Sequence, residues 1–121
     1  ESASIIKYSI NSFLATKVIF FNQMKDIFNS TNSLENWDDL TSVISLDERI
    51  GSSHMMVPGH DGKLGFGGAC FPKDVSALIA YSKKINKDFS LLDEVKKINN
   101  EIRNEYDSLS EREIEQNISF D

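Results

Sequence analysis

The chain has 121 residues, about one domain's worth, with 40% apolar residues to build a modest core. A net charge of −6 argues against a nucleic-acid partner, since phosphate backbones need clustered cations and the longest clusters are Lys83–Lys84 and Lys96–Lys97. A single cysteine excludes an internal disulfide and favours a reducing, cytoplasmic compartment, and neither a signal peptide nor the roughly 20-residue apolar run of a membrane span is visible.

The chain opens at Glu1 rather than methionine, already in a helical pattern, and is expected to be a piece of a longer protein. Residues 3–28 predict one long helix, with Ile6, Ile10, Phe13, Leu14, Phe21, Met24 and Phe28 at three- and four-residue steps. Ile5, Val18, Ile19 and Phe20 widen the stripe to most of the circumference, so burial on several sides is expected, part of it by a second subunit. After a polar break at Asn29–Asn32, a shorter helix is predicted over 34–46 with Trp37, Leu40, Val43 and Ile44 inward. Residues 47–71 hold all six glycines, both histidines and one of two prolines, the composition of a long functional loop. Pro72 is expected to open a helix at its first position, running to about Asn86 with Val75, Leu78, Ile79 and Tyr81 inward. Ser90 is a candidate cap for a last, long helix striped by Leu91, Val95, Ile98, Ile102 and Leu109, which is expected to project from the body. Residues 116–121 are expected to fray. No strand pattern emerges, and the predicted fold is all-α.

The sharpest chemistry lies between Gly65 and Asp74, Gly-Phe-Gly-Gly-Ala-Cys-Phe-Pro-Lys-Asp. Glycines allow positive φ and close approach to a ligand. Cys70 sits at the mouth of a helix beside Lys73, and both the helix dipole and the ammonium favour a nucleophilic thiolate. Asp74 suits the same dipole and has the chemistry of a base toward water. A buried structural thiol beside a glycine turn is the competing reading. Gly65-x-Gly67-Gly68 lacks the preceding strand of a dinucleotide fingerprint. His54, His60, Asp61 and Cys70 lack metal-ligand spacing, so no metal is expected. Lys7 and Asn11 lie about 40° apart on one helix face and interrupt an oily helix. They are either a solvated strip or a cation and an amide aimed at an oxyanion. Arg49, in Asp47-Glu48-Arg49-Ile50-Gly51, is either a partner for Asp47 or a ligand contact.

Three blocks in order carry a resemblance: Lys7-Tyr8-Ser9-Ile10-Asn11-Ser12-Phe13-Leu14-Ala15-Thr16-Lys17, Asp47 to Gly51, and Gly65 to Asp74. Together they resemble the central domain of the UDP-glucose/GDP-mannose dehydrogenase family, over most of residues 1–90. The resemblance implies a helical central domain over 1–90, an outgoing linking helix and tail over 91–121, and NAD- and nucleotide-sugar-binding domains lying outside this chain. It implies oxidation of the primary alcohol of a nucleotide sugar to a carboxylate with two NAD. Cys70 would form a thiohemiacetal and then a thioester, Asp74 would assist its hydrolysis, and Lys7 and Asn11 would stabilise oxyanions. Lys63, Leu64, Gly65, Phe66 and Gly67 would wrap the substrate, Lys73 would lie near the cofactor, and Arg49 would reach the substrate of a neighbouring subunit in a homodimer. The Phe71–Asp74 run leans towards UDP-glucose over GDP-mannose or a UDP-amino sugar. The loop Ser52–Ala69 looks longer than in short members, and Gln23 follows Asn22 where the family often has Glu. A non-catalytic dimerisation module and a cysteine hydrolase using His54 or His60 are the readings of other classes.

Overall fold

The computed structural model describes residues 2–121. Its long first helix, α1 (Ser2–Asn29), turns a seam of Ser12, Ala15 and Ile19 inward, three and four residues apart. The small side chains at 12 and 15 let two further helices approach its axis. Against this seam pack α3 (Cys70–Lys84) and α4 (Ser90–Arg103), which also pack on each other. Their shared core is Ala15, Ile19, Phe66, Val75, Leu78, Ile79, Leu92 and Val95. Phe66 belongs to the glycine loop rather than to a helix, so the loop is anchored in the core itself. A second, smaller core of Phe21, Trp37, Met55 and Val57 ties α2 (Trp37–Ile44) and the 50s loop to the far half of α1. Asn36 caps α2 by accepting from the Asp39 N–H at 2.8 Å, and the Trp37 indole N–H reaches the Met55 carbonyl. A five-residue helix, α5 (Glu111–Glu115), closes the chain order. Among the described residues there is no strand.

The all-α prediction and the long first helix hold, and several details differ. The second helix is shorter than 34–46, Leu34 is fully exposed, and Val43 faces solvent at the edge of the stripe of Trp37, Leu40 and Ile44 that packs inward. α3 begins at Cys70, so Pro72 is its third residue, where the missing N–H would have had no intrahelical partner. Tyr81 is over a third exposed. The fourth helix stops at Arg103, with Leu109 outside it, and it does not project. Its inner stripe is Leu92, Val95, Asn99 and Arg103, while Leu91 is exposed. The end of the chain is not frayed: Ile118 and Phe120 are buried, and Asn104 donates to the Phe120 carbonyl at 2.6 Å.

Candidate active site

Cys70 and Asp74 lie four residues apart on α3 and so share a helix face. α1 brings Lys7 and Asn11, also one turn apart, against Asp74. The Asn11 amide donates to Asp74 Oδ2 at 2.6 Å, and Lys7 Nζ lies 3.8 Å from the same oxygen. Asp74 is buried, the Lys7 side chain is 64% exposed, and the Cys70 thiol is free and exposed. Two sequence blocks 63 residues apart thus meet in one patch. It contains a free thiol, a carboxylate oriented by an amide, and an exposed cation. Such a set can supply a nucleophile, a proton acceptor and oxyanion donors.

The loop leading into Cys70 is held from the opposite side by residues that the sequence did not single out. Asn99 of α4 receives the Phe66 N–H at 2.7 Å and donates to the Phe66 carbonyl at 2.9 Å, so one buried side chain fixes both polar groups of one residue. Gly65 adopts φ +73°, and a Cβ there would meet Asn99 Oδ1 at 2.5 Å. Arg103 donates to the Gly65 carbonyl at 3.3 Å and pairs with Asp61 at 2.9 Å. Glu113 accepts from the Gly68 N–H at 2.8 Å. A Cβ on Gly67 would collide with both the Arg103 guanidinium and the Glu113 carboxylate. From α1, Asn22 accepts from the Gly65 N–H at 2.9 Å. Lys17 and Lys25 donate to the carbonyls of Ile50 and Val57, fixing the earlier part of the loop.

The other predicted site residues are placed as follows. Gly65, Phe66 and Gly67 line a cavity of about 640 Å³ shared with His54, Met55 and Arg103. Lys63 and Leu64 do not line it; the Lys63 ammonium donates to the Ser108 carbonyl and the Leu64 N–H to the Tyr106 hydroxyl. Lys73 donates to Gln116 Oε1 at 3.2 Å. Arg49 stands apart from the cluster; it is almost wholly exposed and forms a two-point pair with Asp47. That contact holds the Asp47 carboxyl below and the Arg49 guanidinium above their ordinary ranges. His54 has positive φ, packs its ring 5.6 Å from that of Phe71, and has a buried Nδ1 with no partner. Burial first, then Lys17 and His60, push its pKa below the usual histidine value.

With this geometry in place, comparison with known proteins decides the family. Residues 1–101 match the family model described as "UDP-glucose/GDP-mannose dehydrogenase family, central domain". The chain belongs to that family. UDP-glucose 6-dehydrogenase YwqF of Bacillus subtilis (strain 168) is 38% identical over 103 residues, 83% of this chain and 21% of that protein. UDP-glucose 6-dehydrogenase of Rickettsia felis is 39% identical over 98 residues, 81% of this chain and 20% of that protein. TuaD, a UDP-glucose 6-dehydrogenase also of B. subtilis, is 37% identical over 106 residues, 85% of this chain and 21% of the relative. The chain therefore spans about a fifth of the length of the relatives it matches. No helix among the described residues is long and apolar enough to cross a membrane.

Proposed function

We propose that this chain is the middle section of an NAD-dependent UDP-glucose 6-dehydrogenase, acting in the cytoplasm, with Cys70 as its nucleophile. The observation that carries the reading is the meeting of Asn11 and Lys7 with Asp74, one helical turn beyond an exposed thiol. In this scheme the Cys70 sulfur adds to the sugar aldehyde, forming a C–S bond, and the carbonyl oxygen becomes an oxyanion beside Lys7 and Asn11. Once the thiohemiacetal carbon has lost its hydride, Asp74 takes a proton from an attacking water. The C–S bond of the thioester then breaks, releasing the uronic acid and the thiolate. NAD supplies the acceptor for the two hydrides. Its cradle does not fit here, because with no strand among the described residues there is no strand–turn–helix to hold a dinucleotide, and only Lys73 is offered as an edge contact. The substrate lies along Lys63–Gly67, and Arg49, free of the local cluster, reaches the substrate of a partner subunit.

An exposed apolar strip on α1 supports a homodimer. Ile6, Ile10, Phe13, Phe20 and Ile27 lie on the outer side of the helix, each more than half exposed. That is an apolar strip along a helix of about 40 Å. The chain is expected to sediment as a dimer at tens of micromolar; a monomer of 13.7 kDa throughout that range would refute it.

The test of the chemistry is Cys70→Ser in the full-length enzyme. Serine is a far weaker acid than cysteine and a poorer leaving group, so net oxidation to the acid should fall by at least about 10³. Near-normal uronate yield would remove Cys70 from the mechanism and leave the chain as a helical dimerisation module.

A further inference from the structure

Cys70 opens α3, and the chain just before it does little to fix the thiol's direction. The thiol is exposed, and the N-cap residue Ala69 makes no side-chain cap bond. Gly68 has φ +75° and open space around its Cβ position, so packing does not wedge its backbone. What holds its peptide is the bond from the Gly68 N–H to Glu113 Oε2 at 2.8 Å. Glu113 lies outside residues 1–101, the stretch that matches the family model. In α5 it completes a capping box, with Oε1 accepting the Ser110 N–H at 2.8 Å. A capping box works with its carboxylate in water, so the box does not account for Glu113 being only 1% exposed. Burying a carboxylate is costly unless its charge and lone pairs are met. Here Arg103 Nη1 lies 3.7 Å from Oε2, and the Gly68 N–H occupies that oxygen. A Cβ on Gly67 would collide with both Glu113 and Arg103, so the loop lies hard against this pair. α5 is itself anchored. Ile118 and Phe120 are buried, the Ile118 N–H donates to the Glu113 carbonyl at 2.9 Å, and Asn104 donates to the Phe120 carbonyl. The opening of α3 is therefore held at two points, by Glu113 at Gly68 and by Asn11 of α1 at Asp74. Cys70 lies between them, two residues after the first and four before the second.

We propose that Glu113 is a positioning residue for the Cys70 nucleophile: its buried carboxylate holds the Gly68 peptide from behind and so fixes the direction in which the thiol enters the patch of Lys7, Asn11 and Asp74. The proposal rests on the reading of Cys70 given above. Oxidation of the alcohol to the aldehyde needs no thiol. Addition of the Cys70 sulfur to the aldehyde needs the sulfur aimed at the carbonyl carbon, and the influence of Glu113 is confined to that step.

Single-turnover reactions of the full-length enzyme with UDP-glucose and NAD, quenched and separated into alcohol, aldehyde and uronate, read the two steps apart. Thermal denaturation of the same preparations reads the fold. Misplacement by about an ångström can cost about 100-fold, so Glu113→Ala should slow conversion of aldehyde to uronate by about 10- to 100-fold and leave the first oxidation within about threefold. Glu113→Asp keeps the charge beside Arg103 but shortens the reach to Gly68. It should slow the same step by about 3- to 10-fold, and it decides the matter if Glu113→Ala does not fold. Ser110→Ala weakens the cap of α5 and leaves the Glu113 carboxylate on Gly68, so its melting temperature should fall while both steps stay within about threefold of native. Equal slowing of both steps in the Glu113 variants, or no slowing in a folded one, overturns the positioning role and leaves Cys70 as nucleophile. Near-native uronate from Cys70→Ser overturns the nucleophile and the positioning role with it.

Discussion

The glycine loop has two sides, built on opposite plans. Toward α1 its continuation into α3 presents an exposed thiol, a lysine 64% exposed, and a carboxylate held by one amide. Toward α4 and α5 it rests on Asn99, Arg103 and Glu113, whose polar groups are almost wholly buried. Charges on the open side are cheap to hold and free to change partner, whereas polar groups on the sealed side are costly unless every bond is made. The difference separates two tasks. The sealed side fixes where the backbone lies, and the open side can then carry reactive groups that contribute little to folding.

Gly65→Ala should have the largest effect. Alanine would be forced to φ +73° and would drive its Cβ into Asn99 Oδ1, breaking the two bonds to Phe66. We expect a loss of about 3–5 kcal/mol in denaturant unfolding, from the left-handed backbone and the orphaned groups together. Gly68 has φ +75° with open space around its Cβ position, so Gly68→Ala should cost only about 1–2 kcal/mol. Equal losses would show that backbone angle, and not the Asn99 clamp, governs the loop. Asn11→Ala comes next and probes the boundary between the two sides. It removes the donor at 2.6 Å from a buried carboxylate that keeps only a distant lysine, at an expected cost of about 1.5–3 kcal/mol. A loss as large as that of Gly65→Ala would mean the open side shares in fixing the fold.

The open side was legible in the sequence because its residues are short motifs in which polar groups interrupt an apolar pattern. Lys7 and Asn11 stand out in an oily helix, and Cys70 stands between glycines and a proline in the first turn of the helix. The sealed side was missed for a physical reason. Asn99 and Arg103 continue the stripe Leu92, Val95 at steps of four, but Leu91, Val95, Ile98 and Ile102 offered a more apolar stripe about a residue away. Polar residues on a helix are ordinarily solvated, so nothing local marks two of them as buried. The partners that bury them, Phe66 and Glu113, are 33 residues before Asn99 and ten after Arg103. One signal was available: Ser110-x-x-Glu113 has the pattern of a capping box, and the structure forms it, with Glu113 also receiving the Gly68 N–H. That pattern argues for a separate short helix just before residues 116–121, which were expected to fray.

Lys7→Ala should have the smallest effect on stability, and for that reason it tests the division most sharply. Its side chain is 64% exposed and its ammonium sits 3.8 Å from Asp74, at the edge of an ion pair and beyond a hydrogen bond. Exposed pairs of this kind are screened by water, so unfolding free energy should change by less than about 1 kcal/mol. The proposed role of the same ammonium is to meet an oxyanion that exists only when substrate is bound. Losing one such donor typically costs about 10²–10³ in rate, so turnover of the full-length enzyme should fall by that factor while its melting temperature barely moves. Asp74 keeps the Asn11 bond in the variant, so a rate loss cannot be blamed on a displaced carboxylate. Measuring both quantities on one preparation decides between outcomes. Turnover within about threefold of native would return Lys7 to the solvated surface and leave Asn11 and Asp74 to account for the patch. A large loss of stability would place Lys7 with the sealed residues, against its exposure.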